Sequence, residues 1–419
     1  MVIRNIRTID PANGRDEISD IYVNNGKIVT KEDYDVSPED TEIDGTGLIA
    51  GPGLVDVHVH FRDPGQTHKE DIHTGAAAAA AGGFTTVVMM ANTTPPLDDP
   101  GLVKDVLSRA SSEKIHICTC ATLTKKMEGR ACCDYKKLLD AGAAGFTDDG
   151  RPVMDEGVLL HAFEEISKLG AVVSLHEEDP AFIQESGVNS GSAAAGLNLR
   201  GADRQAEISM IERDLKIASK TGVKLNIQHI STAEGVEAVR NAKKTNPNIH
   251  AEATPHHFTL TDSAVAEYGT LAKMNPPLRT YEDREAIWEG LADGTIDIIA
   301  TDHAPHSLEE KSRDFKDAPS GIIGLETSFL LACSILVKRE VIDYDMLFRL
   351  MSLNPARLYD LNAGTLSSGA PADIMIFSPD EKTEYTCSCS RSCNSPFLGK
   401  TFDVKIKYTI AGGLIVYSA

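Results

Sequence analysis

Short runs of apolar, often β-branched residues recur through the middle of the chain, separated by Ala- and Leu-rich stretches. A run of this length suits a strand buried on both faces, and regular alternation with helical stretches implies parallel strands joined by crossover helices. Eight strands are predicted: Leu54–His58, Thr85–Met90, Ile115–Ala121, Ala144–Thr147, Val172–His176, Lys224–His229, Ile249–Ala253 and Ile296–Thr301. The first four are spaced about 30 residues apart, the length of one βα unit, and the later gaps leave room for longer loops. Helices are predicted over Gly75–Ala81 and Asp155–Lys168. The economical architecture is an α/β fold, a closed (β/α)8 TIM-type barrel. An open doubly wound sheet is the alternative that pattern alone leaves standing.

The two ends follow a different pattern. Near the N-terminus, Asp20–Val23 and Lys27–Val29 flank Asn24-Asn25-Gly26, an N-G hairpin signal. In the tail, Ala372–Phe377 and Val404–Ile410 read as strands, and Ala411-Gly412-Gly413 turns the chain into Leu414–Tyr417. Neither end has enough strands to bury a face alone, so the expectation is one small β-sandwich built from both termini. The predicted domains are 1–50 with 363–419 for that unit and 51–362 for the barrel.

Composition narrows the function classes. The 419 residues carry 41 Lys and Arg against 62 Asp and Glu, a formal net charge of -21, which disfavours nucleic acid and anionic membranes as partners. An anionic substrate would need positive charge supplied locally. No apolar stretch has the length of a signal peptide or a membrane span, so the expected location is cytoplasmic. Cys387, Cys389 and Cys393 form a C-x-C-x3-C cluster without any CxxC pair, and are read as free thiols with no assigned role.

The chemistry-bearing residues fall at strand ends. His58 and His60 stand two apart at the end of the first strand, where both side chains point the same way and can share a cation. Asp149 follows the fourth strand, His176 ends the fifth, His229 ends the sixth and Asp302 follows the eighth. In a (β/α)8 barrel the C-terminal strand ends converge on one site, so these six residues are predicted to meet. An all-nitrogen-and-oxygen donor set suits Zn2+ and tolerates Mn2+ or Co2+. Six donors exceed the needs of one tetrahedral ion, which favours two ions over one. Such ions lower the pKa of bound water enough to make a nucleophile at neutral pH.

The run GLVDVHVHFRDPGQTHKEDI resembles a signature of the dihydroorotases in the amidohydrolase superfamily, and Thr301-Asp302-His303-Ala304-Pro305-His306 resembles their second signature. Phe146-Thr147-Asp148-Asp149-Gly150, Glu252-Ala253-Thr254-Pro255-His256-His257, Asn275-Pro276-Pro277-Leu278-Arg279 and Gly324-Leu325-Glu326-Thr327 are similar in the same order, so the resemblance spans nearly the whole chain. It implies that His58, His60, Asp149 and Asp302 hold one zinc and that Asp149, as the bridge, holds the other with His176 and His229. It makes Asp302 the general acid and base, and it nominates Arg62, Asn92, Asn275, His306, Ser320 and Gly321 as substrate contacts. Hydantoinases and allantoinases of the superfamily usually bridge their metals with a carboxylated lysine. This segment offers Asp148 and Asp149 and no lysine, which points to the bacterial type I dihydroorotases. The choice of Asp149 over Asp148 comes from the resemblance, because strand alternation says only that one of two neighbours faces inward.

The chain departs from the family pattern at Ala91, Glu177 and Ser320, where proline, cysteine and an aromatic residue are usual. None of these is a proposed metal ligand, but loss of the aromatic at 320 is expected to loosen the cover over the substrate ring. His256 and His257 are read as supporting rather than ligating, and His68 and His73 as surface residues. The implied activity is reversible cyclisation of N-carbamoyl-L-aspartate to L-dihydroorotate in pyrimidine biosynthesis. The alternatives are another cyclic amidase of the hydantoinase or allantoinase type, or a catalytically silent scaffold for aspartate transcarbamoylase; silent relatives should have lost ligands, and this sequence keeps all six candidates. Homodimerisation is the family's expectation.

Overall fold

A computed structural model of the chain describes residues 1–37 and 40–419. Eight parallel strands form its centre: β1 (Leu54–Val59), β2 (Phe84–Met89), β3 (His116–Thr119), β4 (Gly145–Phe146), β5 (Val172–Leu175), β6 (Lys224–Ile227), β7 (Ile249–Ala253) and β8 (Ile298–Ile299). β1, β2 and β3 pair in order, as do β4 to β8. Two single bridges close the ring, Ala121 to Phe146 between β3 and β4, and Val59 to His303 between β1 and the chain just after β8. All eight predicted strands are present, most of them trimmed by a residue or two at the ends, and β7 has the predicted bounds. The open-sheet alternative falls, because its first and last strands would not touch.

Burial explains why these segments are strands. Every residue of β1, β2 and β5 is buried, so both faces are covered, and the side chains are chiefly Val and Leu. The helix Ile72–Ala81 begins earlier than predicted because Asp71 and Thr74 cap it reciprocally, each side chain meeting the other's backbone N–H. Its alanines let it approach closely: a Cβ on Gly75 would stand 2.4 Å from the Phe61 ring. That contact seats the chain just beyond β1, where His60 and Arg62 leave the barrel.

Among the terminal strands, Thr383–Tyr385 and Lys400–Phe402 pair separately with each other, while the other eight form one sheet. Its order is Leu414–Ser418, Lys405–Ala411, Ile374–Ser378, Ile49–Pro52, Val2–Asp10, Arg15–Asn24 and Lys27–Val29, with Glu42–Asp44 also beside Val2–Asp10. The two ends of the chain meet where Ile374 pairs with Pro52. The sheet rolls back on itself, since Ile28 N donates to Ala370 O and Ala372 N to Gly26 O. Rolling encloses a second core of Ile3, Ile6, Ile21, Ile43, Ile374 and Ile376, and this is how a single sheet buries a face that a sandwich would bury with a second one. Asn24-Asn25-Gly26 makes the predicted tight turn, with Asn24 opposite Lys27 and positive φ at both Asn25 and Gly26. Among the described residues, no helix is long and apolar enough to cross a membrane.

Candidate metal centre and substrate pocket

The six predicted ligands meet at the C-terminal ends of the barrel strands, all of them buried. Asp149 is at the middle. Its Oδ1 lies 3.7 Å from His58 Nε2, 3.7 Å from His176 Nδ1 and 4.0 Å from His229 Nε2, and its Oδ2 lies 3.5 Å from His60 Nε2. Asp302 Oδ1 is 2.9 Å from His60 Nε2 and 3.6 Å from His58 Nε2. Two compact groups of three follow, His58 with Asp149 and His229, and His58 with His60 and Asp302. His176 joins through its 2.9 Å contact with His229, while its Nε2 is held by Glu178 at 3.0 Å.

These residues fit a metal ion on their own geometry. His58 Nε2 is fully buried and has no hydrogen-bond partner, although it faces two carboxylates. Two ligands about 2.1 Å from one ion at a tetrahedral angle lie about 3.4 Å apart, close to most of these separations and too wide for a good hydrogen bond. On the other side of the His58 ring, Nδ1 meets Glu252 at 2.5 Å, and this acceptor fixes the tautomer that leaves Nε2 free to ligate. Burial disfavours charge on His58, yet Glu252, Asp149 and Asp302 raise its pKa well above the ordinary value, the mark of a site whose field calls for a cation. Burial works against the Asp149 carboxylate too, but the surrounding imidazoles hold its pKa well below the usual range. His229 is pushed far down by burial and by His176 and His58, so it stays neutral, the form in which imidazole binds metals.

Asp148 turns away from this cluster. Its carboxylate accepts from Leu123 N, Thr124 N and the Thr124 hydroxyl, and burial raises its pKa to about 6. Gly150, at φ +75°, bends the chain immediately after Asp149. The backbone is strained at three site residues that are not glycine, with φ of 59° at Arg62, 34° at His229 and 47° at Asp302.

A cavity of about 150 Å³ opens over the cluster, lined by His60, Asp149, His176, His229 and Asp302 together with Arg62, Asn275, Ser320 and Gly321. Arg62 Nη2 donates to His306 Nε2 at 3.4 Å and Nε to Pro305 O at 3.2 Å. Burial and the neighbouring Arg62 charge push His306 down to about 2, so it accepts as a neutral ring. Asn92 also lines the cavity, but its amide is committed: Nδ2 donates to Asp149 Oδ2 at 2.9 Å and Oδ1 meets His60 Nδ1 at 3.0 Å. The structure thus has Asn92 orienting two of the predicted ligands, where the sequence suggested substrate contact alone. Ser320 and Ser186 hydroxyls both donate to Asn275 Oδ1, at 2.9 and 3.0 Å, so the serine that replaces the usual aromatic pins a pocket amide.

Several supporting residues escaped the sequence reading. Glu252 lies inside a matched segment, and its burial in mid-strand was the one signal that could have marked it. Asp56 accepts from His58 N and Thr301 N, which joins the ends of β1 and β8. Lys311 is buried, and its Nζ donates to Pro319 O and Gly321 O. Lys273 Nζ holds Phe315 O and Ala318 O in the same covering loop. His257 bonds to Thr254 Oγ1 and Pro276 O in the supporting role expected of it, and His73 is at the surface. Cys387, Cys389 and Cys393 are exposed free thiols.

A parallel barrel with histidines and aspartates converging at its strand ends defines a class, and residues 49–416 match the Amidohydrolase family, to which the chain belongs. The chain is 49% identical over 420 residues to the dihydroorotase of Clostridioides difficile, and 48% identical over 423 to that of Lactococcus lactis, covering at least 99% of each protein. Within the amidohydrolases it is therefore a member of the dihydroorotase family. Among solved structures, an L-hydantoinase from Arthrobacter aurescens superimposes with a TM-score of 0.89 at 26% identity, covering all of this chain and 96% of that one. A dihydropyrimidinase from Brevibacillus agri shares the fold, with a TM-score of 0.84 at 21% identity.

Proposed function

We propose that the chain interconverts N-carbamoyl-L-aspartate and L-dihydroorotate, with a divalent metal centre held by His58, His60, Asp149, His176, His229 and Asp302. One observation carries the choice of substrate over other cyclic amides: identity near one half, end to end, with dihydroorotases, against about a quarter with a hydantoinase of the same fold. Zinc is the ion this donor set suits best, and the position of Asp149 among four histidines supports it as a bridge between two ions. Bound there, the metal supplies Lewis acidity, activating water and polarising the ring carbonyl. We also take residues 51–362 as the catalytic unit and 1–50 with 363–419 as a composite terminal unit, acting as a homodimer.

The residues have separable tasks. In hydrolysis a water oxygen adds to the ring carbonyl carbon, and Asp302 takes the proton that the water loses. The C–N bond then breaks and Asp302 returns that proton to the departing nitrogen, so the carboxylate ends as it began. Asp302 touches both the cluster and the cavity, as this role requires. Arg62 supplies positive charge at the cavity itself, in a chain whose net charge is -21, and it meets the exocyclic carboxylate as a fork. Asn275, Ser320 and Gly321 also face the ring, with His306 behind Arg62.

The test is turnover of L-dihydroorotate, hydantoin and allantoin by zinc-loaded protein. Turnover of the first in preference to the others is expected, and none at all would sink the reading. Replacing Arg62 by Met should raise KM for L-dihydroorotate about 10- to 100-fold, the weight of a lost charged hydrogen bond, while leaving carboxylate-free amides little changed.

A further inference from the structure

Residues 389–394, in the loop between the strands Thr383–Tyr385 and Lys400–Phe402 of the C-terminal unit, alternate between exposed and buried. Cys389, Arg391 and Cys393 face solvent, while Ser390, Ser392 and Asn394 face the barrel mouth. The spacing of the thiols thus reflects an outward face, and the inward face makes the connections. Ser390 Oγ and Arg391 N both donate to the buried Glu70 carboxylate, which also meets His303 Nε2 at 3.3 Å. Ser392 Oγ donates to Lys69 O at 2.7 Å. The strap therefore spans the loop after β1 and the turn after β8.

Asn394 completes it. Its Oδ1 accepts from His306 N at 3.0 Å, and its Nδ2 donates to Ala304 O at 3.0 Å and Gly321 O at 3.1 Å. Its backbone carbonyl accepts from Ile323 N at 3.1 Å. One buried amide thus joins the segment carrying His306, the partner of Arg62, to the segment carrying Gly321. No other side chain among the described residues is recorded bonding to both segments by donor and acceptor together. The two segments also meet directly, Ala304 N donating to Ile322 O at 2.7 Å, and the planar amide with its three fixed partners adds a second tie just beyond that contact, where His306 and Gly321 stand.

We propose that Asn394 is a positioning residue for substrate: it sets His306 and Gly321 beside each other at the pocket wall, where a Cβ on Gly321 would stand 3.2 Å from His306 Nε2, and so determines affinity for the carboxylate-bearing ring without touching the reacting atoms. The inference rests on the dihydroorotase reading above. Asn394 contacts none of the metal-ligand atoms, so its loss should show in KM and spare kcat and metal content.

The experiment compares wild type with Asn394→Ala and Asn394→Asp in zinc-loaded, full-length protein. For Asn394→Ala, KM for L-dihydroorotate should rise about tenfold or more with kcat within about threefold and zinc content unchanged, since uniform binding is what is lost. Asn394→Asp keeps the acceptor for His306 N and loses both donors, so it should not restore wild-type KM. Amide hydrogen exchange supplies a readout independent of turnover. The His306 amide should be protected in wild type and exchange faster in Asn394→Ala, with amides of the terminal sheet unchanged. Unchanged KM in a folded Asn394→Ala protein, or a wild-type His306 amide that exchanges like an exposed loop, overturns the proposal alone. Failure of the wild type to turn over L-dihydroorotate would instead overturn the functional reading, and the substrate role of Asn394 with it.

Discussion

In the terminal sheet, left-handed backbone falls on asparagine and glycine, as at Asn5, Asn25, Gly26, Gly412 and Gly413; at the barrel mouth it falls on glycines such as Gly150 and Gly321 but also on Arg62, His229 and Asp302. Asparagine and glycine adopt that conformation at little cost, and each of the five serves a turn or a bulge. Arginine, histidine and aspartate pay more, about 1–3 kcal/mol each, and the surrounding packing must impose it. The same contrast holds for polar groups. The inner face of the sheet is largely isoleucine, whereas the mouth buries the four histidines and several carboxylates, with two of the ring nitrogens, His58 Nε2 and His229 Nδ1, left without a partner. One region is arranged for its own stability, the other for a bound cation and a bound anion.

The sharpest way to break that comparison is at Asp302. Changing it to Ala should lower kcat about 1,000-fold, within the usual range for losing an acid/base group, measured on zinc-loaded protein. Asp302→Gly should be equally inactive but more stable than Asp302→Ala by about 1 kcal/mol in thermal unfolding, because glycine relieves the positive φ. Equal stability would mean that the strain at the mouth is not real. Next, Glu252→Gln should weaken zinc binding about 10- to 100-fold in a chelator competition, since it removes the partner that orients His58. Affinity equal to wild type would remove Glu252 from the account.

A smaller effect concerns pH. Burial, with the Lys273 charge beside it, pushes Lys311 down to about 7. Below that value the lysine is cationic next to Gly321, and above it the charge is lost, so attraction for an anionic substrate weakens as pH rises. KM for L-dihydroorotate should climb severalfold between pH 6 and pH 8.5, a window set about that value of roughly 7, and Lys311→Met should flatten the rise. A wild-type profile no steeper than that of the variant would exclude the effect. The smallest change in function belongs to the sheet. Gly26→Ala places a Cβ 2.8 Å from Gly412 O at positive φ, and should cost about 1–2 kcal/mol of stability while leaving kcat and zinc content alone.

What the sequence made legible follows from the same physics. Barrel strands are marked by local apolar runs, and the candidate ligands by their place at the ends of those runs, so β1 to β8 and the meeting of the six candidates could be expected without coordinates, with the choice of Asp149 over Asp148 added by the family resemblance. The N-G hairpin and the Gly412-Gly413 turn were legible because their backbone chemistry is local. The single rolled sheet was not, since Ile28 meets Ala370 across more than 300 residues and alternation cannot say whether a second face comes from another sheet or from the same one. Asn92 lines the cavity, and what the sequence did not make legible is its further bonding to Asp149 and His60. Asn394 and Glu70 were invisible in the same way: a serine-rich stretch and a loop glutamate carry no pattern that announces each other.

The contact between Glu70 and Ser390 also has a bearing on how the molecule is made. The two are separated by 320 positions, and at about 5–20 residues per second a ribosome needs roughly 16–64 s to travel between them. Through that interval the loop after β1 exists without the strap that will hold it, although His58 and His60 have already emerged. The catalytic mouth is thus finished late in translation, and a nascent chain stalled before residue 390 would carry all six ligands around a pocket whose loops are still untied.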